Sequence, residues 1–171
     1  MTWTPHATVA TIVEKDGKFL FVEELADGAR VINQPAGHIE DNESIAQAAL
    51  RETLEETGWH VELKHLVGIY TYRAPHNGVT YYRFCFACKA LTAVEGYALD
   101  TDILSAQWLS YDEVAAKAEM HRSPLLMKCL DDYLAGKQAP MDFIYEHSAP
   151  QRSFLDANPS NEPDDVGESK S

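Results

Sequence analysis

The order of structural signals along this 171-residue chain predicts an α+β sandwich. Runs of apolar, β-branched and aromatic residues recur between Gly, Pro and Asn turn signals, as strands do. One helical stretch, closed by Gly58, interrupts those runs. Helix signals return only after Leu109, so strands and helices do not alternate as they would in a parallel α/β fold. A chain of this size suits one domain that buries about 70% of its unfolded surface.

Thr8–Val13 and Lys18–Glu23 read as strands joined through Lys15-Asp16-Gly17, a hairpin signal. Asp27-Gly28 marks the next turn, and residues 30–33 a short strand. Gln34-Pro35-Ala36-Gly37 then forms a loop into the helix, where Pro35 sets a turn and Gly37 permits close backbone approach. Asn42 or Asp41 supplies the N-cap of that helix, and Gly58 is its C′ residue. Two long strands, Val61–Arg73 and Val79–Thr92, flank the turn Ala74-Pro75-His76-Asn77-Gly78. Ser105–Leu109 is a short strand carrying Trp108, and Asp112–Glu119 a helix. Ser123-Pro124 opens a last helix, which runs to about Leu134 before Gly136. From about Ser148 to Ser171 the composition turns polar and acidic. The domain is therefore expected over residues 1–147, and residues 148–171 as a disordered tail.

A composition 45% apolar and 24% charged is that of a soluble globular protein. No apolar run reaches the roughly 20 residues of a membrane span, and the N-terminus lacks the charged and apolar regions of a signal peptide. Cys85 and Cys88 lie on an apolar strand, and with Cys129 they make an odd count. Buried free thiols and a reducing cytoplasm are the expectation. The formal charge of −13 argues against binding to nucleic acid or acidic membranes.

The chemistry concentrates in the first helix. Glu52, Glu55 and Glu56 stand at i, i+3 and i+4, within an arc of roughly 100° on a helical wheel. They repel one another and lie at the negative end of the helix dipole. A divalent cation would resolve both conflicts, and a cation held by carboxylates is also how an acidic protein handles phosphates. On the wheel Ala46, Ala49, Leu50, Thr53, Leu54 and Thr57 form the packing face, with the carboxylates beside it. A solvated acidic helix face is the competing reading of the glutamates alone.

The wider spacing decides between them. Gly37, five residues, Glu43, seven residues, then Arg51-Glu52-x-x-Glu55-Glu56-x-Gly58 resembles the signature of the Nudix hydrolases. The chain departs from that pattern at Thr53 and Trp59, where the family is usually aliphatic, and at His38 beside Gly37. The resemblance covers about residues 5–145. It implies an α/β/α sandwich with a mixed sheet and a loop–helix–loop catalytic box. It also implies Mg²⁺, which Mn²⁺ can replace, held by Glu52, Glu55, Glu56 and Gly37, and hydrolysis of a phosphoanhydride by water. Glu56 or a carboxylate from a distal acidic loop (Glu95, Asp100, Asp102) then takes the proton. Arg51 braces Glu55 at i, i+4 in this scheme. Glu43 belongs to the support structure with Gly58, opening the helix at the positive end of its dipole.

Among the remaining candidates, His38 sits at the mouth of the box and Tyr72 alternates with other aromatics along the long strands. Both are candidates for contact with substrate, although strand aromatics are more often core. Thr4–Ala10, Asn33–His38 and Arg122–Leu125 resemble the NudJ-type branch of the family. That branch releases orthophosphate from nucleoside tri- and diphosphates and acts on hydroxymethylpyrimidine pyrophosphate, a thiamin precursor. Pro75, sixteen residues beyond the box, resembles instead a marker of the family's ADP-ribose pyrophosphatases. A third reading is a Nudix-fold nucleotide sensor without turnover, which the complete set of box glutamates disfavours. The partner is in each case a small phosphorylated molecule, bound by a monomer or homodimer.

Overall fold

The computed structural model describes residues 1–147. The expected tail lies outside the described residues. Seven strands form one mixed sheet: β1 His6–Lys15, β2 Lys18–Ala26, β3 Ala29–Asn33, β4 Ala36–His38, β5 Trp59–Arg73, β6 Thr80–Ala93 and β7 Ile103–Leu109. The main path runs β3-β2-β1-β6-β5, with β4 on β1 and β7 on β2. The β1–β6 pair is parallel and the other pairs are antiparallel. The α+β sandwich expected from the sequence is the observed architecture.

Strand alternation builds two cores. Ala10 and Ile12 of β1, Phe19 and Phe21 of β2, and Cys85 and Ala87 of β6 face one side. There they pack on Val114 from helix α2 (Tyr111–Ala115) and on Leu126, Cys129 and Leu130 from α3 (Leu125–Leu134). Val9, Val13, Leu20, Phe86 and Cys88 face the other side, against Ala48 and Ala49 of α1 (Ile45–Thr57). Cys85 and Cys88 are buried free thiols, as expected, and so is Cys129. Among the described residues, no helix is long and apolar enough to cross a membrane.

Several local expectations are corrected. The α1 N-cap is Ser44, not Asp41 or Asn42: its hydroxyl accepts the Gln47 N–H, and the Gln47 side chain accepts the Ser44 N–H. Asn42 instead turns the chain in the left-handed region at φ 60°. Glu43 therefore precedes the cap rather than opening the helix. Ala36–His38 is a three-residue strand on β1, not only a loop. The second helix ends early, at Ala115, because the Lys117 N–H bonds three residues back to Val114, and a 3₁₀ turn follows at Ala118–Met120.

The buried face of α1 is also displaced from the wheel reading. It comprises Ala48, Ala49, Glu52, Thr53, Glu56 and Thr57, while Leu50 is exposed. Two of the glutamates thus lie on the packing face itself. Thr53 fills the usual aliphatic position with a polar contact. Its hydroxyl donates to the Ala49 carbonyl at 2.7 Å and lies 2.8 Å from the Thr11 hydroxyl on β1. Trp59 packs edge-on against Trp108, with Lys15 over its ring.

Replacing Thr53 by Val keeps the shape but leaves the fully buried Thr11 hydroxyl without its partner. The expected loss is about 1–3 kcal/mol in urea unfolding. A Thr11→Val, Thr53→Val double variant should recover part of it, and additive losses would show that the two hydroxyls are independent.

Candidate active site

Three elements meet at the C-terminal half of α1. The helix supplies Arg51, Glu52, Glu55 and Glu56, and the loop between β4 and α1 supplies Glu40 and Glu43. The segment after β6 supplies Asp100. Its placement comes from the backbone: the Asp100 N–H donates to the Glu55 carbonyl at 3.1 Å, and the Val94 N–H to the Gly58 carbonyl at 2.8 Å. Gly58 adopts φ 72°, which ends the helix and lets Tyr97 pack over it.

Carboxylate oxygens of Glu52, Glu55 and Asp100 all lie within 4.8 Å of one another. Among the three acidic loop residues, Asp100 is thus the one brought to the helix. The Asp102 carbonyl instead accepts the Leu25 N–H, and its carboxylate acts electrostatically on Glu24. Glu56 points elsewhere, and its Oε2 accepts the Ala36 N–H at 3.2 Å. Gly37 abuts Glu52 so closely that an added Cβ would overlap the Glu52 carboxylate.

Arg51 braces more than Glu55. Its Nε and Nη2 donate to the two oxygens of Glu43 at 2.6 and 3.0 Å, and its Nη1 donates to Glu52 at 2.8 Å and Glu55 at 3.0 Å. Nη2 also holds the His38 carbonyl at 2.9 Å. The fork keeps the Glu43 carboxyl below the usual carboxylate range. Glu52 moves the other way, because burial outweighs its bond to Arg51.

Glu56 is the most perturbed of the carboxyls at the site. Burial pushes it up to about 9, the Ala36 N–H opposes that shift, and the charges of Glu52, Glu24 and Asp100 add to it. Carboxylate oxygens of one sign crowded together, beside a glycine that leaves room only for backbone, form a hard-oxygen donor set that fits a divalent cation.

On the other side of β4 lies a cavity of about 230 Å³. His38 and Tyr72, both expected near substrate, line it, as do Tyr81, Arg83, Arg122 and Glu24. His38 lies 2.9 Å from His6, ring nitrogen to ring nitrogen, and burial together with His6 holds its imidazole below the usual range. Glu24, Arg83 and Arg122 were not among the site residues that the sequence pointed to. The available signal was Arg83, a charge at an inward position of an apolar strand.

Comparison with known proteins gives the family. Residues 3–129 match the profile of the family described as NUDIX domain. The chain is 37% identical over 146 residues to the phosphatase NudJ of Shigella boydii, covering 85% of this chain and 94% of that protein. The Escherichia coli phosphatase NudJ is 36% identical over the same share. A solved NUDIX hydrolase from Nitrosomonas europaea is 47% identical with a TM-score of 0.83, covering 84% of this chain and 98% of that one.

The Glu56 carboxyl supplies a prediction for the cation-free protein. A carboxyl whose pKa is raised by folding contributes its full stabilisation below its ordinary value and loses it as pH rises through the folded value. In excess EDTA, the melting temperature should therefore fall as pH rises from about 5 to 9. The Glu56→Gln variant should fall less steeply, with Glu52 and Glu24, also raised, leaving a residual slope. Identical slopes would remove Glu56 as the buried titrating group.

Proposed function

We propose, since the chain belongs to the Nudix hydrolase family, that this pyrophosphohydrolase cleaves nucleoside tri- and diphosphates with release of orthophosphate. Hydroxymethylpyrimidine pyrophosphate is a further substrate in this reading. The observation that carries it is the carboxylate cluster of Glu52, Glu55 and Asp100 against β4, with a ring-lined cavity on the far side of the same strand. Likeness to the NudJ phosphatases over most of both chains supports the choice of branch.

Nudix hydrolases generally work with divalent metals, and we take the ion here to be Mg²⁺. Glu52, Glu55 and Asp100 would hold it, with Glu56 and the backbone of Gly37 adjacent. When bound, the ion supplies charge neutralisation on the phosphates, a lowered pKa for the attacking water and a field that favours ionised Glu56. The protein does the rest. Glu56, oriented by the Ala36 N–H, takes the proton of the attacking water. Arg51 holds Glu52 and Glu55 on one nitrogen and ties them to the loop through Glu43. No covalent intermediate on the protein is needed.

Pro75 does not favour an ADP-ribose substrate. It lies in the turn between β5 and β6, where the Gly78 N–H bonds the Ala74 carbonyl at 2.8 Å, so local turn chemistry accounts for it. A sensor without turnover would have no use for a buried carboxyl aligned on a backbone donor.

A substrate panel with separate detection of orthophosphate and pyrophosphate tests the reading. Stepwise orthophosphate from a nucleoside triphosphate is expected, and it should cease in excess EDTA. AMP plus ribose 5-phosphate from ADP-ribose, or binding without turnover, would replace the proposal. Glu56→Gln should lower kcat by about two to four orders of magnitude. Glu43→Gln, which weakens only the grip on Arg51, should cost less in kcat and more in melting temperature.

A further inference from the structure

Arg83 rises from β6 into the floor of the cavity and is 7% exposed. Its Nη1 donates to the Gln34 side-chain oxygen at 3.2 Å, and its Nη2 to the Asn33 side-chain oxygen at 3.4 Å. Both amides are themselves buried, and Gln34 is anchored by a 2.7 Å bond to the Leu126 carbonyl on α3. Three elements thus hold one guanidinium in a set orientation. Among the described residues no carboxylate lies within ion-pair distance of it; Glu24, the nearest influence of opposite sign, is engaged by Arg122 at 3.6 Å. A buried cation with neutral partners is costly to fold around, unless an acceptor is to arrive.

The remaining walls say what kind of acceptor. The rings of Tyr72, Tyr81 and His38, with Leu125 and Ala74, give flat surfaces for a planar ligand, and the polar groups among them, Arg83 and Asn33 included, can fix its orientation. Residues of β4 border both the cavity and the carboxylates, so on the function proposed above a ring seated in the cavity belongs to the molecule whose phosphates lie at Glu52 and Glu55. We infer that Arg83 is a specificity-determining residue that donates to carbonyl or ring-nitrogen acceptors of the substrate's heterocycle. This deepens the function proposed above and rests on it for the identity of the substrate. With Gln34, Asn33 and the Cys129 thiol as its side-chain partners, a guanidinium of five N–H groups still has donors to offer, and its planar fork suits an acceptor edge.

The test uses binding rather than turnover. In excess EDTA, calorimetric titration should show the wild-type protein binding uridine 5′-triphosphate about 10- to 100-fold more tightly than ribose 5-triphosphate, which lacks the ring. Arg83→Met should remove most of that ratio, while a merely structural role would weaken both ligands together. Equal affinities of the wild-type protein for the two ligands would overturn the inference, whether or not the variant folds. So would an undiminished ratio in a folded Arg83→Met. A retained ratio in the wild-type protein with no hydrolysis after Mg²⁺ is added would instead count against the proposed function and leave the role of Arg83 standing.

Discussion

The guanidinium of Arg51 reaches Glu43 from the loop, Glu52 and Glu55 from its own helix and the carbonyl of His38 from β4, so one side chain ties three segments into a single acidic surface. Every one of its acceptors is negative or partly negative, and Glu52 and Glu55 sit in the C-terminal half of the helix, where its dipole adds to their repulsion. Without that cation the carboxylates would splay, and the loop carrying Glu43 would lose its anchor. A lysine could not replace it, because one ammonium cannot present a fork to Glu43 and a separate donor to Glu52 and Glu55. The arrangement is only a partial neutralisation, with Asp100 and Glu56 outside its grip. The surplus of negative charge is what makes the site receptive to a divalent ion.

The helix serves two environments at once. Glu52 and Glu56 occupy the face that packs on the sheet, next to Ala48, Ala49 and Thr53. Burial therefore acts directly on two carboxyls of the acidic site. The same packing that lifts Glu56 also aims it, since the Ala36 N–H that it accepts belongs to a strand paired with β1. On the function proposed above, stability and reactivity are opposed here: a more comfortable residue at position 56 would make a firmer helix and a poorer base.

Most of the architecture was legible because it rests on periodicity and turn chemistry. Alternation in β1, β2 and β6 divides the residues between the two cores, and Asp16-Gly17 and Gly58 end elements where they stand. The three-residue β4 was not, because so short a strand has no period to detect and exists only through pairing with β1. The N-cap was misread because Asp41, Asn42 and Ser44 all suit a cap, and Gln47, three residues beyond Ser44, completes a capping box. In the site, Arg51, Glu52, Glu55 and Glu56 follow from helical spacing. Asp100 was one of three acidic candidates, and its selection depends on a backbone bond to Glu55 across the fold. Glu24, Arg83 and Arg122 come from three separate elements, and no spacing along the chain links them.

The strand β4 has a consequence beyond support. It presents backbone to the carboxylates on one side and to the cavity on the other, and its pairing with β1 fixes the interval between them. If the substrate is the one proposed, a molecule anchored by its ring would meet the carboxylates at whichever phosphorus atom its tether delivers there. The protein would then act as a ruler. Where along a phosphate chain the break fell would be set by the length of the connection between ring and phosphates, and two molecules with identical anhydride bonds but different tethers would yield different fragments.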